Sequence, residues 1–144
     1  MPIPELNDEG LLPPGLHLVT LEEVESRFGK EPQVRSTLYQ RLVEFVGLAR
    51  YVEAHRLFIG GSFVTTKQEP GDIDIVIWLG ESFLELLEAG DEKALDLELR
   101  FLTRIPKEAF AVFDEEGWQS WIEFFSLLRS RRDSRKGLLE VKLS

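Results

Sequence analysis

Two short motifs separated by a polar loop decide the fold: Gly60-Gly61-Ser62 and, after nine further residues, Asp72-Ile73-Asp74. The first motif follows the apolar segment 56–59, and the second leads into the apolar run 75–79. We therefore predict a strand that ends in a glycine turn and a second strand that begins near Asp72. Because alternate residues of a strand share a face, Asp72 and Asp74 would lie together, and Ile73 would point to the opposite, buried face.

Two carboxylates on one face of a strand are suited to divalent cations. Magnesium prefers hard oxygen ligands, and proteins usually hold it with one or two carboxylates together with phosphate oxygens. Two ions about 4 Å apart can stabilise the attacking and the leaving oxygen of a displacement at phosphorus. Asp72 and Asp74 are therefore the candidate metal ligands, for two magnesium ions.

The glycine turn is the candidate phosphate site. Gly60 and Gly61 have no Cβ, so their backbone can turn sharply and approach a phosphate closely, and Ser62 adds a hydroxyl donor. Lys67, in the loop, is a further candidate phosphate contact. Both motifs also have a purely structural interpretation. A Gly-Gly-Ser turn alone is common in proteins, and an edge strand with one solvent-exposed face would accommodate Asp74. The order and spacing of the two motifs favour the functional interpretation.

The rest of the chain indicates one α/β or α+β domain over residues 1–144. Residues 1–19 hold four of the seven prolines and predict an extended arm that lies on the domain. Thr20 and Glu23 form a capping box that opens the first helix. Helical spacing predicts helices over 20–29, 32–54, 81–89, 92–103 and from 118 to 128, and apolar runs predict strands over 109–113 and 138–143.

Composition excludes several classes of site. The chain has no cysteine and two histidines, which excludes disulfides, thiol nucleophiles and Cys- or His-rich metal sites. The net charge is −9, so any contact with a polyanion needs a local basic patch. The longest apolar run, 75–79, is too short to span a bilayer, and the N-terminus lacks a signal-peptide pattern. We expect a cytoplasmic protein with no membrane contact.

Two weaker patterns lie near the C-terminus. Five basic residues occur within 129–136. They are typical of a solvated helix end, but they can also bind a triphosphate, the 3′ end of an RNA or an acidic partner. The aromatic residues Trp118, Trp121, Phe124 and Phe125 can stack on a base, although their helical spacing favours a core or a partner surface.

The glycine-serine turn followed by Asp72-Ile73-Asp74 resembles the signature of the polymerase-β-like nucleotidyltransferases, and the short chain is similar to their minimal bacterial members, which include antitoxins paired with small helical toxins. A second resemblance covers nearly the whole chain. The segments 7–15 and 61–65 and the Lys136-Gly137 pair before the last strand are similar to a family of small, poorly characterised bacterial nucleotidyltransferase-like proteins.

The resemblance implies a small mixed sheet with helices packed on one side. It implies that Asp72 and Asp74 hold the metals and that Gly61 and Ser62 hold the triphosphate. Such proteins usually have a third carboxylate on a later strand, which helps to activate the acceptor hydroxyl. Glu108, at the start of the strand predicted over 109–113, is the first candidate for it, and Asp114, at its end, is the alternative.

The function that follows is the transfer of a nucleoside monophosphate from a nucleoside triphosphate, with ATP as the expected donor, to a hydroxyl group. The short chain leaves little room for an acceptor-binding domain, so we expect a protein or an RNA end to supply the hydroxyl, as in a toxin–antitoxin pair. The alternative is a catalytically degenerate relative, such as an antitoxin that acts by binding. The oligomeric state is not encoded in any of these patterns.

Overall fold

A five-stranded mixed sheet forms the centre of the molecule. The computed structural model describes residues 3–103, 108–128 and 131–144, without the side chains of 131–133. The strands are β1 (Leu16–Val19), β2 (Arg56–Gly60), β3 (Asp74–Trp78), β4 (Ala109–Val112), β5 (Leu127–Leu128), β6 (Arg131–Arg135) and β7 (Leu138–Val141). The helices are α1 (Leu21–Phe28), α2 (Gln33–Tyr51), α3 (Glu81–Glu88), α4 (Glu92–Thr103) and α5 (Glu115–Ser126).

The strand order is β1-β7-β2-β3-β4, which confirms a mixed sheet in an α+β fold. The central pair, β2 and β3, is antiparallel, and its last register pair places Gly60 opposite Asp74. Strand β4 runs parallel to β3, and Ile75 pairs with Ala109. The two sequence motifs therefore meet at one end of the central hairpin, beside the start of β4.

Both faces of the sheet are covered by helices. The larger core packs α1 to α4 against one face, to which β2 and β3 contribute Leu57, Ile59, Ile75 and Ile77. The smaller core packs α5 against the other face, where Trp118 contacts the region of Phe58 and Val76. The expectation of helices on one side therefore holds for α1 to α4, but α5 departs from it, because the aromatic residues of α5 cover Phe58 and Val76.

The N-terminal arm is more ordered than an extended segment lying on the surface. Its last part, Leu16–Val19, is the edge strand β1, which pairs in parallel with β7. Leu12 is buried, and its carbonyl accepts a hydrogen bond of 3.0 Å from the N–H of Gly137. A Cβ on Gly137 would lie 2.0 Å from the carbonyl oxygen of Pro13, so the glycine allows this close approach. The arm thus completes the sheet.

The local helix signals are confirmed at α1, where the Thr20 hydroxyl accepts from the N–H of Glu23 and the Glu23 carboxylate accepts from the N–H of Thr20. The helix predicted from 118 to 128 is confirmed but ends two residues earlier, and the interpretation of the basic stretch as a solvated helix end is wrong. Helix α5 ends at Ser126, and the chain turns into the hairpin β5–β6. In the described part of the chain, no helix combines the length and apolar composition needed to cross a bilayer.

Candidate active site at the start of the central hairpin

Strand β3 presents Asp74 toward the face that α5 covers. Val76 and Trp78 follow it on that face, and Ile73, Ile75 and their neighbours pack in the larger core, as the alternation predicts. Asp74 is half-buried, whereas Val76, two residues further along the same face, is fully buried in the core formed with α5. The carboxylate therefore lies at the end of the sheet where β2 ends and β3 begins.

Gly61 is the point at which both aspartates meet the glycine turn. Its φ of 84° lies in the region that favours glycine. A Cβ at this position would lie 2.9 Å from Oδ2 of Asp74 and 3.4 Å from Cγ of Asp72. Both acidic side chains are thus directed to the bend, and a larger residue at 61 would occupy the space between them.

Ser62 holds Asp72 in place. The backbone N–H of Ser62 donates to Oδ1 of Asp72 at 2.9 Å, and the Ser62 hydroxyl donates to the same oxygen. The N–H of Phe63 also donates to the carbonyl of Asp72 at 3.1 Å, which closes the loop at its base. Since both donors of Ser62 are engaged by Asp72, a bound phosphate would have to draw them away from that carboxylate.

The surroundings of Asp74 raise the pKa of its carboxyl group. Burial and, after it, the negative charge of Asp72 raise the pKa of Asp74 to about 6, while Lys136 opposes the shift. Among the described residues, no donor forms a hydrogen bond with this carboxylate. A carboxylate that is desolvated, repelled by a neighbour and lacking a donor is favourable for a cation.

The two aspartates, Gly61 and Ser62 line one open cleft of about 670 Å³. Thr65 and Lys136 contribute its other polar side chains in the described part of the chain. The opposite wall is apolar and consists of Phe124, Phe125, Leu127 and Leu128. A cleft of this size and mixed character suits a ligand as large as a nucleotide.

Glu108 is near the pair but faces another partner. It is 5% exposed, and its Oε1 accepts from Arg41 of α2 at 2.5 Å. Its charge contributes to the raised pKa of Asp74, although it does not line the cleft. The alternative candidate, Asp114, lies beyond the other end of β4 and caps α5 by accepting from the N–H of Gly117 at 2.8 Å. The structure does not bring Asp114 to the aspartate pair.

Two of the predicted phosphate contacts have other surroundings. Lys67 is exposed and does not line the cleft. Gly60 ends β2, and a Cβ there would lie 2.8 Å from Cδ2 of Leu138, so this glycine accommodates packing against β7. The turn residues that line the cleft are Gly61 and Ser62.

Arg35 is a site residue that the sequence patterns missed. It is 5% exposed, and its guanidinium donates to the carbonyl oxygens of Phe63, Thr65 and Lys67 at 2.5–2.7 Å. These carbonyls belong to the loop between the two motifs, so the arginine fixes the path of that loop. A single arginine within a helix carries no local signal of this role.

The residues present fit magnesium through two carboxylates, not through a larger cluster. Within residues 3–103, 108–128 and 131–144, no three His, Asp or Glu side chains converge on one metal position. One or two carboxylates are nonetheless the usual protein contribution when a phosphate-bearing substrate supplies further oxygens. Asp72 and Asp74 have the oxygen chemistry for this arrangement.

The basic stretch contributes one described side chain to the cleft, Lys136. Arg135 lies 3.7 Å from Glu123 of α5. Arg129 lies outside the described residues, as do the side chains of Arg131 and Arg132. Of the described basic side chains in 129–136, Lys136 is therefore the one that lines the cleft, and the prediction of a triphosphate or RNA contact applies to it.

The comparisons with known proteins give a family but no activity. A family model described as "Family of unknown function (DUF6932)" matches residues 4–142. Neither the curated proteins nor the solved structures contain a match. The resemblance to nucleotidyltransferases is therefore carried by the sequence motifs alone and stays a prediction. Because the family model spans nearly the whole sequence, the chain belongs to the DUF6932 family.

Proposed function

We propose that this protein is a magnesium-dependent nucleotidyltransferase that transfers a nucleoside monophosphate from a nucleoside triphosphate to a hydroxyl group. The acceptor oxygen forms a bond to the α-phosphorus, the bond from that phosphorus to the bridging oxygen breaks, and its electron pair leaves with pyrophosphate. The hydroxyl proton passes to solvent. The observation that carries the proposal is the convergence of Asp72 and Asp74 on Gly61 within one cleft.

The residues of the cleft have separate roles in this proposal. Asp72 and Asp74 would hold magnesium, which supplies charge neutralisation for the triphosphate and for the oxygens that react. Gly61 keeps the backbone close to both carboxylates, and Ser62 orients Asp72 in the free protein. Lys136 adds a positive charge on the side where a phosphate would lie.

The acceptor belongs to another molecule in this proposal. The cleft is open, and among the described residues its apolar wall and its two carboxylates suit the donor nucleotide. A protein tyrosine, serine or threonine, or the end of an RNA, would bring the hydroxyl, as in a toxin–antitoxin pair in which one protein modifies the other.

Thermal stability in the presence of ligand tests the proposal. The wild-type protein is heated with each of the four nucleoside triphosphates, with magnesium and with EDTA. A ligand at a hundred times its dissociation constant stabilises the folded state by about 2.7 kcal/mol, which is several degrees for a domain of this size. We expect a magnesium-dependent shift that Asp74→Asn abolishes. No shift with any triphosphate, or an equal shift in the variant, would exclude the proposed site.

One observation favours a second candidate, a catalytically degenerate protein that acts by binding a partner. The third carboxylate expected from the resemblance, Glu108, is paired with Arg41 and does not line the cleft. Labelled triphosphate incubated with candidate partners separates the two functions. An enzyme releases pyrophosphate and labels the partner, whereas a binding protein captures the partner equally well as wild type and as Asp72→Asn.

A further inference from the structure

The apolar wall of the cleft is unusual because one of its aromatic rings is largely exposed. Phe124 is 57% exposed, whereas Trp118 on the same helix is fully buried. Helical periodicity alone assigns all of these rings to a core or a partner surface. The structure separates Phe124 from the others and places it on the rim of the cleft that contains Asp72 and Asp74.

The ring of Phe124 rests on a packed aromatic cluster. Trp121 and Phe125 stack on each other with their centroids 5.2 Å apart and an interplanar angle of 17°. Phe124 meets Trp121 at 85° and Phe125 at 76°, so both of these neighbours support it at near right angles. Because its supporting rings are fixed by packing, Phe124 is a preorganised surface for a flat group.

The charge of the cleft restricts what can cover this wall. A second protein surface that packed against Phe124 in place of a ligand would lie beside Asp72 and Asp74 in the same cleft, and it would have to desolvate both carboxylates without a cation to neutralise them. A ligand with a flat apolar group at one end and a metal-bound polyphosphate at the other can contact the apolar wall and the two carboxylates at the same time. A nucleoside triphosphate with magnesium has this distribution of charge.

We propose that Phe124, with Leu127 and Leu128 beside it, forms the subsite for the nucleobase of the donor nucleotide, an inference that rests on the proposed function. The three side chains have no hydrogen-bonding groups, so the base is held by stacking and apolar contact. Recognition by stacking is tolerant of base identity. We therefore expect ATP and GTP to bind within a few-fold of each other, and UTP and CTP, whose rings are smaller, to bind more weakly.

Binding measurements on ATP and inorganic tripolyphosphate, both with excess magnesium, test this subsite. The variants are Phe124→Ala and, as a matched control, Phe113→Ala, since Phe113 is 52% exposed and lines a different cleft. Removing an aromatic side chain on which a base stacks weakens affinity by about 5- to 150-fold. We expect Phe124→Ala to weaken ATP binding by that factor and to leave tripolyphosphate binding unchanged. Phe113→Ala should change neither.

The outcomes separate failure of the subsite from failure of the proposed function. If wild type binds tripolyphosphate, and ATP binds no tighter and is insensitive to Phe124→Ala, the base subsite is wrong while the polyphosphate site stands. If wild type binds neither ligand, both proposals fail. If Phe124→Ala weakens both ligands equally, Phe124 supports the fold, and the subsite is overturned. Sedimentation velocity of the same variant covers the remaining outcome: if binding is unchanged and only the sedimentation coefficient changes, Phe124 contacts another protein copy, and the subsite is again overturned.

Discussion

Replacing Asp74 with asparagine should stabilise the free protein. A pKa of about 6 in place of the usual 3.8 means that the folded state disfavours the charged carboxylate at neutral pH. At about 1.4 kcal/mol per pKa unit, the difference has an upper bound of about 3 kcal/mol. Because the carboxyl is partly exposed, screening by solvent reduces the free-energy difference below this bound. We expect Asp74→Asn to raise the free energy of unfolding by about 1–2 kcal/mol.

The stabilisation should depend on pH in a defined direction. The folded pKa of Asp74 is raised above its unfolded value, so the folded state binds the proton more tightly. Above about pH 6 the wild-type protein bears the full cost of the charged group. As pH falls from 6 toward 4, Asp74 becomes protonated in the folded state, and the difference between wild type and Asp74→Asn should shrink.

Urea denaturation at several pH values, in EDTA, measures these differences. The control is Glu85→Gln, which removes one negative charge from an exposed side chain of α3 and should change stability by less than about 0.5 kcal/mol at every pH. Asp72→Asn should gain less than Asp74→Asn, because Oδ1 of Asp72 accepts from the N–H and the hydroxyl of Ser62. A destabilised Asp74→Asn protein, or a gain that is constant between pH 4 and 7, would refute the reasoning.

Three further predictions concern the surroundings of the pair. Gly61→Ala should cost about 1–3 kcal/mol in chemical denaturation, since the φ of 84° is strained for alanine and its Cβ would crowd Asp74; an unchanged midpoint would contradict this. Arg35→Met should cost about 2–4 kcal/mol, because it leaves the buried carbonyl of Phe63 and the partly buried carbonyl of Lys67 without their donor, and hydrogen exchange should increase in the loop 63–67. Asp114→Ala should cost about 1 kcal/mol through loss of the α5 cap and leave any magnesium-dependent nucleotide shift intact, whereas loss of that shift would return Asp114 to the site.

The central hairpin could be predicted from the sequence because its signals are local. The change from helical spacing to an apolar run, and the glycine turn after it, identified β2 and β3. Alternation along the strand predicted from Asp72 then placed Asp72 and Asp74 on one face, although β3 begins at Asp74 and Asp72 lies in the loop just before it. The capping box at Thr20 was confirmed for the same reason, since a helix start depends on residues three positions apart.

The remaining features depend on residues far apart in the chain. Strand β1 forms because it pairs with β7, and the proline-rich segment before it has no alternation of its own. Arg41 contacts Glu108 across 67 positions, so no local pattern could show that this carboxylate is engaged. Arg35 and Lys136 likewise reach the site through tertiary packing. The sequence therefore predicted the two motifs of the candidate site better than their supporting residues.

The segment from Gly61 to Asp74 concentrates several energetically unfavourable features, and that concentration favours a ligand-binding role. Gly61 adopts a conformation that limits it to glycine, Asp74 is desolvated beside a like charge, and Arg35 is buried to hold the loop. A protein that required only its fold could replace Asp74 with a neutral residue and become more stable. An edge strand with a wet face would explain one exposed aspartate, but it would not require two carboxylates to converge on a glycine. Such local conflicts with stability are typical of functional sites, and here a bound cation would relieve the largest of them.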